Sequence, residues 1–216
     1  PTIAMVHFLP ETLDGSINLP GFAFRAFKSY VMRFYRKADE LVTVNPVFVE
    51  RLVALGFDRG RVTYIPNYVS SAQFRPLSVP KEIEARQRWG LSDGSFVVLA
   101  CGQTQPRKGI YDFLAVAEDN PEMTFVWAGG FTFGNLTSEH AKIRKTLANL
   151  PPNVRFLGIV PRAEMNSLYN AADVFFSPSY GELFPMTMLE AASVNLPILV
   201  RDLSLYEPIL FDKVLR

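Results

Sequence analysis

The chain has 216 residues, of which 49% are hydrophobic and 20% charged, with a formal net charge of +1. This composition excludes intrinsic disorder, which needs low hydrophobicity and high net charge, and it argues against a dedicated nucleic-acid binder. The single cysteine, Cys101, excludes an internal disulfide framework. The charge is uneven, since residues 1–90 carry a net +4 and residues 91–216 a net −3.

Apolar runs alternate with helical patterns along the first part of the chain. The predicted elements are a strand at 2–8, a helix at 22–37, a strand at 41–44, a helix that begins at the N-cap Asn45 and ends near 55, and a strand at 61–65. Residues 68–80 contain serines and prolines with little periodicity, which makes them the best linker candidate.

The alternation becomes more regular after this linker. Strands are predicted at 95–101, 124–128, 154–157, 174–176 and 198–200, and helices at 109–118, 138–148, 163–170 and 185–192. Strands that alternate with helices of this length imply parallel pairing and right-handed crossovers, so the predicted fold class is α/β with an open sheet. Ligands of such sheets bind at the carboxyl ends of the strands, which makes the following loops the places to look for a site.

The loop after the strand at 95–101 carries Gly102 and then a basic pair, Arg107 and Lys108, just before a helix. A helix start offers free N–H groups and a positive dipole end, so this loop is a candidate phosphate or diphosphate site. A solvated turn with two surface cations is the alternative that spacing leaves open. The next loop contains Gly129 and Gly130, which either admit a ligand close to the backbone or simply form a sharp turn.

Two glutamates flank an otherwise apolar helix after the strand at 174–176. Glu182 lies at the junction of loop and helix, and Glu190 lies eight residues further on. A carboxylate accepts two hydrogen bonds from a vicinal diol, so the pair is a candidate for holding sugar or ribose hydroxyls. Spacing alone favours the alternative, a helix-capping Glu182 and a solvated Glu190.

Metal chemistry has little support, because the sequence contains no D-x-D, no H-x-x-x-H and no cysteine pair. His7 ends the first predicted strand, where it is placed to line a cleft, although a lone histidine at a strand end is more often structural.

The predicted helix at 22–37 is basic and aromatic and contains no acid. On a helical wheel one side collects Phe24, Phe27, Val31, Phe34 and Tyr35, and the opposite side collects Arg25, Arg33, Arg36 and, more loosely, Lys28. This pattern is typical of a helix that lies on an anionic membrane surface. It is equally typical of a core-facing helix with a basic solvent side.

Together these loops resemble the donor-binding half of the GT-B glycosyltransferases of the large retaining family 4. The E-x7-E signature of that family runs from Glu182 to Glu190, and the Arg-Lys-Gly element at 107–109 is similar to its diphosphate-binding loop. Residues 38–45 resemble the last strand of the family's acceptor domain, and residues 62–69 resemble its interdomain segment.

A narrower resemblance is to bacterial glycolipid synthases that add a second hexose to monoglucosyl-diacylglycerol. It is carried by residues 7–13, 127–131, 183–186 and 200–203. This resemblance implies a metal-independent enzyme without a cofactor that moves a hexose from UDP-glucose or UDP-galactose to a glycolipid acceptor with retention. Together with the basic aromatic helix, it predicts a cytoplasmic protein that is peripheral on the inner face of the cell membrane through residues 22–37.

The resemblance implies roles for individual residues. Arg107 and Lys108 would neutralise the donor diphosphate and the departing UDP. Glu190 would hold the ribose hydroxyls, and Glu182 the hexose hydroxyls near the reacting carbon. His7 is similar to an acceptor-domain histidine that lines the cleft. The further donor contacts expected are Gly102, Gly129, Gly130, Phe184, Pro185, Met186 and Thr187, the last four through backbone at a helix start.

GT-B enzymes have two Rossmann-like domains, and the resemblance divides this chain accordingly. Residues 1–68 correspond to the end of an acceptor-binding domain, 69–94 to a linker and first helix, and 95–216 to a nucleotide-sugar-binding domain truncated at its end. A fragment of this kind is not expected to be active by itself. Two alternatives stay open: a soluble family-4 transferase acting on a polysaccharide or small-molecule acceptor, and a nucleotide-sugar-binding module without turnover.

Overall fold

The computed structural model describes residues 1–9, 20–132 and 134–210. Residues 10–13, which contribute to the narrower resemblance, and the chain end at Arg216 lie outside this range. Within it, eight strands form two parallel sheets, one of three strands and one of five. The alternation of strands and helices confirms the predicted α/β class.

The first sheet has the order β1-β2-β3. Its strands are β1 (Ile3–Val6), β2 (Glu40–Thr43) and β3 (Val62–Tyr64), and the helices of this part are α1 (Gly21–Lys37) and α2 (Pro46–Ala54). Asn45 caps α2 as predicted, because its side-chain Oδ1 accepts a hydrogen bond of 2.9 Å from the backbone N–H of Val47. The core of this part forms where Val31 and Tyr35 of α1 and Phe48 of α2 are buried together.

The second sheet has the order β6-β5-β4-β7-β8, and all its pairs are parallel. Its strands are β4 (Val97–Cys101), β5 (Thr124–Ala128), β6 (Val154–Gly158), β7 (Val174–Ser177) and β8 (Ile198–Val200). Its helices are α3 (Val79–Arg88), α4 (Ile110–Asp119), α5 (His140–Leu147), α6 (Arg162–Asn170), α7 (Met186–Ser193) and α8 (Glu207–Leu210). From β4 the chain adds β5 and β6 on one side and then β7 and β8 on the other. The strand order therefore reverses between β4 and β7, and their junction is the topological switch point.

Both faces of this sheet are covered by apolar side chains. On one face Phe113 of α4 meets the rings of Phe125 and Trp127 edge-on, at centroid distances of 5.5 and 5.2 Å. On the other face Leu99 and Phe175 pack with Tyr169 of α6. A parallel sheet buried on both faces requires strands that are apolar throughout, which explains the continuous hydrophobic runs in the sequence.

The structure corrects one detail of α1. Val31 and Tyr35 are buried, as the alternative of a core-facing helix requires, but Phe34, grouped with them on the wheel, is 56% exposed and does not share their face. The neighbours of α1 cover a stripe narrower than the wheel suggested, and Phe34 lies past its edge. The exposed side therefore carries Phe22, Tyr30 and Phe34 among its arginines.

Candidate functional site

The predicted basic pair and the first predicted glutamate meet at the switch point. Arg107 and Lys108 lie in a short 3₁₀ turn between β4 and α4, and Glu182 lies in the loop after β7. Lys108 Nζ and Glu182 Oε1 are 2.5 Å apart, with side chains only 17% and 8% exposed. Lys108 is thus not a solvated surface cation, and Glu182 does not cap α7, whose N-cap residue is Pro185.

Burial changes the proton affinity of this lysine. Loss of hydration lowers the pKa of Lys108 below the ordinary lysine value, while the Glu182 carboxylate acts in the opposite direction. One carboxylate therefore does not fully replace the water that Lys108 has lost. A second anion at this position, such as a diphosphate, would be bound by a cation that is poorly hydrated and already oriented.

The loops after β4 and β7 are joined through their backbones. The carbonyl of Arg107 accepts hydrogen bonds from the N–H of Tyr180 at 2.8 Å and from Ser179 Oγ at 3.2 Å, and the Arg107 guanidinium donates to the carbonyl of Gly181. Gly109 has a φ of +77°, and a Cβ there would lie 2.4 Å from the Pro178 carbonyl oxygen. Only glycine permits this approach.

A second arginine braces the same loop from β8. Arg201 Nε donates to the Pro178 carbonyl at 3.0 Å, and its Nη2 reaches Asp112 Oδ2 at 2.9 Å. Its guanidinium lies 3.8 Å from the ring centroid of Tyr180, whose hydroxyl donates to Asp112 Oδ1 at 3.0 Å. Sequence reasoning singled out residues 200–203 only as part of a resemblance and missed this brace.

Glu190 is buried in α7 at 3% exposure, which rules out the alternative of a solvated side chain. Its Oε1 accepts a hydrogen bond from Arg162 Nη1 at 2.7 Å, and its Oε2 accepts one from the Tyr169 hydroxyl at 2.8 Å. Each oxygen retains a further lone pair for a ligand hydroxyl. Burial beside this carboxylate raises the pKa of Tyr169, so that its phenol stays a donor.

The predicted glycines line a cavity of about 260 Å³ at the carboxyl ends of β4, β5 and β6. Gly102, Gly129, Gly130 and Thr187 of the predicted donor set all border it, together with Cys101, Gln103, Ala128, Thr132, Ile159, Val160 and Met165. The loops approach so closely that a Cβ on Gly129, whose φ is +148°, would lie 1.7 Å from the Gly102 carbonyl oxygen. Because these glycines have no side chains, a planar ring or a sugar can bind in the cavity directly against the backbone.

The remaining predicted residues fall in two places. Phe184, Pro185, Met186 and Thr187 form the start of α7, beside the Glu182 loop, with Pro185 buried. His7 follows β1 in the first part of the chain and is exposed. Among the described residues it forms no hydrogen bond or ion pair with the other predicted site side chains.

Across residues 1–9, 20–132 and 134–210, no three His, Cys, Asp or Glu side chains cluster in a way that could hold a metal ion. In the same ranges no helix combines the length and apolar character that crossing a bilayer requires.

Sequence comparisons identify relatives of known activity. The family described as "Glycosyl transferases group 1" matches residues 81–213. The alpha-galactosylglucosyldiacylglycerol synthase of Streptococcus pneumoniae is 50% identical over 208 residues, 96% of this chain and 56% of that relative. The processive diacylglycerol alpha-glucosyltransferase of Acholeplasma laidlawii is 35% identical over 128 residues, 59% of this chain and 38% of that relative. The chain therefore spans about half the length, or less, of these curated relatives.

Structural comparison supports the same assignment at the level of the fold. The crystal structure of Anabaena HepE in complex with UDP-glucose superposes with a TM-score of 0.73 at 18% identity, covering 92% of this chain and 52% of that chain. By its fold and by the match to residues 81–213, the chain belongs to the group 1 glycosyl transferases of the GT-B class.

Proposed function

We propose that this chain is part of a glycosyltransferase that moves a hexose from UDP-glucose or UDP-galactose to a monohexosyl-diacylglycerol, with retention. The observation that carries the proposal is the buried contact between Lys108 and Glu182 at the switch point, where a donor diphosphate and its sugar would meet. The glycolipid acceptor is suggested by the identity with the Streptococcus pneumoniae synthase over nearly the whole chain.

The proposed roles follow from the chemistry of each group. Arg107 and Lys108 neutralise the donor diphosphate and the charge that develops on the departing UDP, which is electrostatic stabilisation of the transition state. Because these two cations supply that charge, we propose that no metal cofactor takes part. The backbone N–H groups of Met186 and Thr187, in the first turn of α7, add a positive dipole end.

The two carboxylates bind different parts of the donor. Glu190, held by two protein donors, accepts from the ribose hydroxyls, and Glu182 accepts from hexose hydroxyls beside the reacting carbon. The cavity bordered by Gly102, Gly129 and Gly130 takes the nucleoside. His7, at the end of β1, is proposed to face the acceptor side of the cleft.

The exposed side of α1 supports attachment to an anionic membrane. Phe22, Tyr30 and Phe34 are 72%, 69% and 56% exposed, and Arg25 and Arg33 stand between them on the exposed side. A merely basic solvent face does not account for three exposed aromatic rings, whereas an interfacial helix buries such rings among lipid headgroups. We propose that the protein is peripheral on the cytoplasmic face of the cell membrane.

The activity is tested by incubating the full-length protein with UDP-glucose or UDP-galactose and monoglucosyl-diacylglycerol in mixed micelles, with and without EDTA. One donor is expected to give a dihexosyl lipid at a rate that EDTA does not change. No dihexosyl lipid from either donor would contradict the acceptor assignment. Transfer to a polysaccharide or small acceptor instead would favour the soluble alternative, and UDP binding without any transfer would favour a binding module.

The membrane proposal is tested by liposome sedimentation with vesicles that contain anionic lipid, because the cytoplasmic leaflet is anionic. Neutralising Arg33 and Arg36 to Gln is expected to weaken binding by about 2 kcal/mol, or roughly 30-fold, and added salt is expected to weaken it further. Arg144→Gln with Lys145→Gln on α5 makes the same charge change on another exposed helix and serves as the control. Equal losses for both pairs would contradict a role for α1.

A further inference from the structure

Asn45 makes a contact that its role as a helix cap does not require. The residue follows β2 and is fully buried, and its Oδ1 accepts from the N–H of Val47 to cap α2. Its amide group points the other way. Asn45 Nδ2 donates a hydrogen bond of 2.7 Å to the backbone carbonyl of Leu183, which lies 138 residues later in the chain.

Leu183 belongs to the loop that carries the hexose-facing carboxylate. It directly follows Glu182, and its side chain packs against the apolar cluster of the first sheet. The loop after β7 is therefore held on one side by Arg107 and Arg201 of the second sheet and on the other by Asn45 of the first. These contacts place Glu182 between the two sheets.

The residue type at position 45 fits two tasks at once. Capping α2 needs a side-chain acceptor, which Asp and Ser also provide. Reaching Leu183 needs a donor on the same side chain at the same time. Aspartate has no donor and would set a negative charge against the carbonyl, and the short serine hydroxyl has no separate amide group to extend toward Leu183.

We infer that Asn45 is a positioning residue, which fixes Glu182 relative to the acceptor-side sheet through the backbone of Leu183. The inference rests on the proposed function, because it assumes that Glu182 faces the transferred hexose. Loss of the Asn45 amide leaves the groups proposed to bind UDP in place and loosens the loop that carries Glu182 on its acceptor side. An Asn45 substitution should therefore impair the productive orientation of the sugar, and so lower kcat, without changing the affinity for UDP.

The experiment compares Asn45→Ser and Asn45→Asp in the full-length protein, since both keep the cap. Asn149→Asp is the matched control, because Asn149 also donates from its amide to a backbone carbonyl but is exposed at the end of α5. Hydrogen exchange of the segment 178–184 is measured without ligand, followed by kcat, KM for the UDP-hexose, and the Kd for UDP.

Both Asn45 variants are expected to exchange about tenfold faster in 178–184 alone and to lose about tenfold in kcat. The Kd for UDP is expected to stay within about twofold of the parent protein. Unchanged exchange in this segment, or faster exchange spread evenly over the first sheet, would overturn the inference, the latter by indicating a structural role only. If the parent protein transfers no hexose from any donor, the proposed function fails. The exchange measurement would still show whether Asn45 holds the loop 178–184 through Leu183.

Discussion

Glu182 and Glu190 are the first and last residues of the same sequence signature, yet their carboxylates have different kinds of partner. The partner of Glu182 is a buried lysine in the loop where a diphosphate would bind, with both side chains mostly shielded from water. The partners of Glu190 are a buried tyrosine and an arginine whose side chain is 58% exposed. An anion that enters the site competes for Lys108 and so changes the surroundings of Glu182, whereas Glu190 keeps both partners. The first carboxylate is coupled to the ligand charge, and the second is fixed in advance.

The largest expected effect is on turnover, from Glu182→Gln. We expect kcat to fall about 100-fold, because the neutral amide accepts hydrogen bonds from the hexose hydroxyls beside the reacting carbon more weakly and no longer orients the sugar. The Kd for UDP is expected to stay within about threefold, since Lys108 loses a competitor for the diphosphate. Steady-state kinetics and calorimetric titration with UDP measure the two quantities.

Glu122→Gln, at an exposed position before β5, is the control for the loss of one carboxylate. Equal losses in kcat and UDP affinity for Glu182→Gln would contradict the role assigned to Glu182.

Glu190→Gln is expected to affect binding instead. The neutral amide accepts hydrogen bonds more weakly than the carboxylate and through one oxygen in place of two, so the bonds from the ribose hydroxyls should weaken by about 2 kcal/mol. UDP affinity should weaken roughly 30-fold, with kcat at saturating donor changed by less than about threefold. A variant that binds UDP normally but turns over slowly would reverse the assignment of the two carboxylates.

The buried cation predicts a pH dependence that an exposed lysine would not show. A bound diphosphate favours the charged form of Lys108, so UDP affinity should fall as pH rises through the lowered pKa of this group, by up to about tenfold per pH unit. Lys108→Arg stays charged and should give a flat profile. In Glu182→Gln the fall should begin at lower pH, because the carboxylate that opposes the shift is gone. Titrations from about pH 7 to pH 10 test this.

The smallest effect is expected from Arg162→Ala. More than half of this side chain is exposed, so solvent screens its charge, and we expect its ion pair with the buried Glu190 to contribute about 1 kcal/mol. UDP affinity should therefore change less than about fivefold, and Arg144→Ala, exposed on α5, should change it less than about twofold. A loss of tenfold or more would mean that Arg162 contacts the nucleotide itself, and Glu190 would then not be the principal group at that end.

Much of the fold could be predicted because its determinants are local. The strand predicted at 124–128 has the bounds of β5, and the chemistry of Asn45 before a proline correctly marked the start of α2. Phe34 shows where local information ends. A wheel gives the angle of each side chain, but the width of the covered stripe depends on what packs against the helix.

The candidate site was predictable in outline for a similar reason. The rule that ligands bind at the carboxyl ends of parallel strands places Lys108 and Glu182 at one edge, and the structure brings them together. Tyr169, Arg162 and Arg201 could not be found in this way. Their contacts join elements distant in sequence, and neither periodicity nor spacing records which polar side chain a buried carboxylate or carbonyl will meet.

The closely approaching loops restrict how donor choice can change by mutation. At Gly129 any side chain would collide with backbone, and the same holds at Gly109, so both positions are closed to variation. Gly130 differs, because an added Cβ would lie 2.8 Å from Cγ1 of the exposed Ile159 side chain, which can change rotamer, while the nearest backbone atom, the Ile159 nitrogen, is 3.8 Å away. A library designed to alter nucleotide or sugar preference should therefore leave 109 and 129 fixed and vary the rim of the cavity, at Gln103, Gly130 and Ile159.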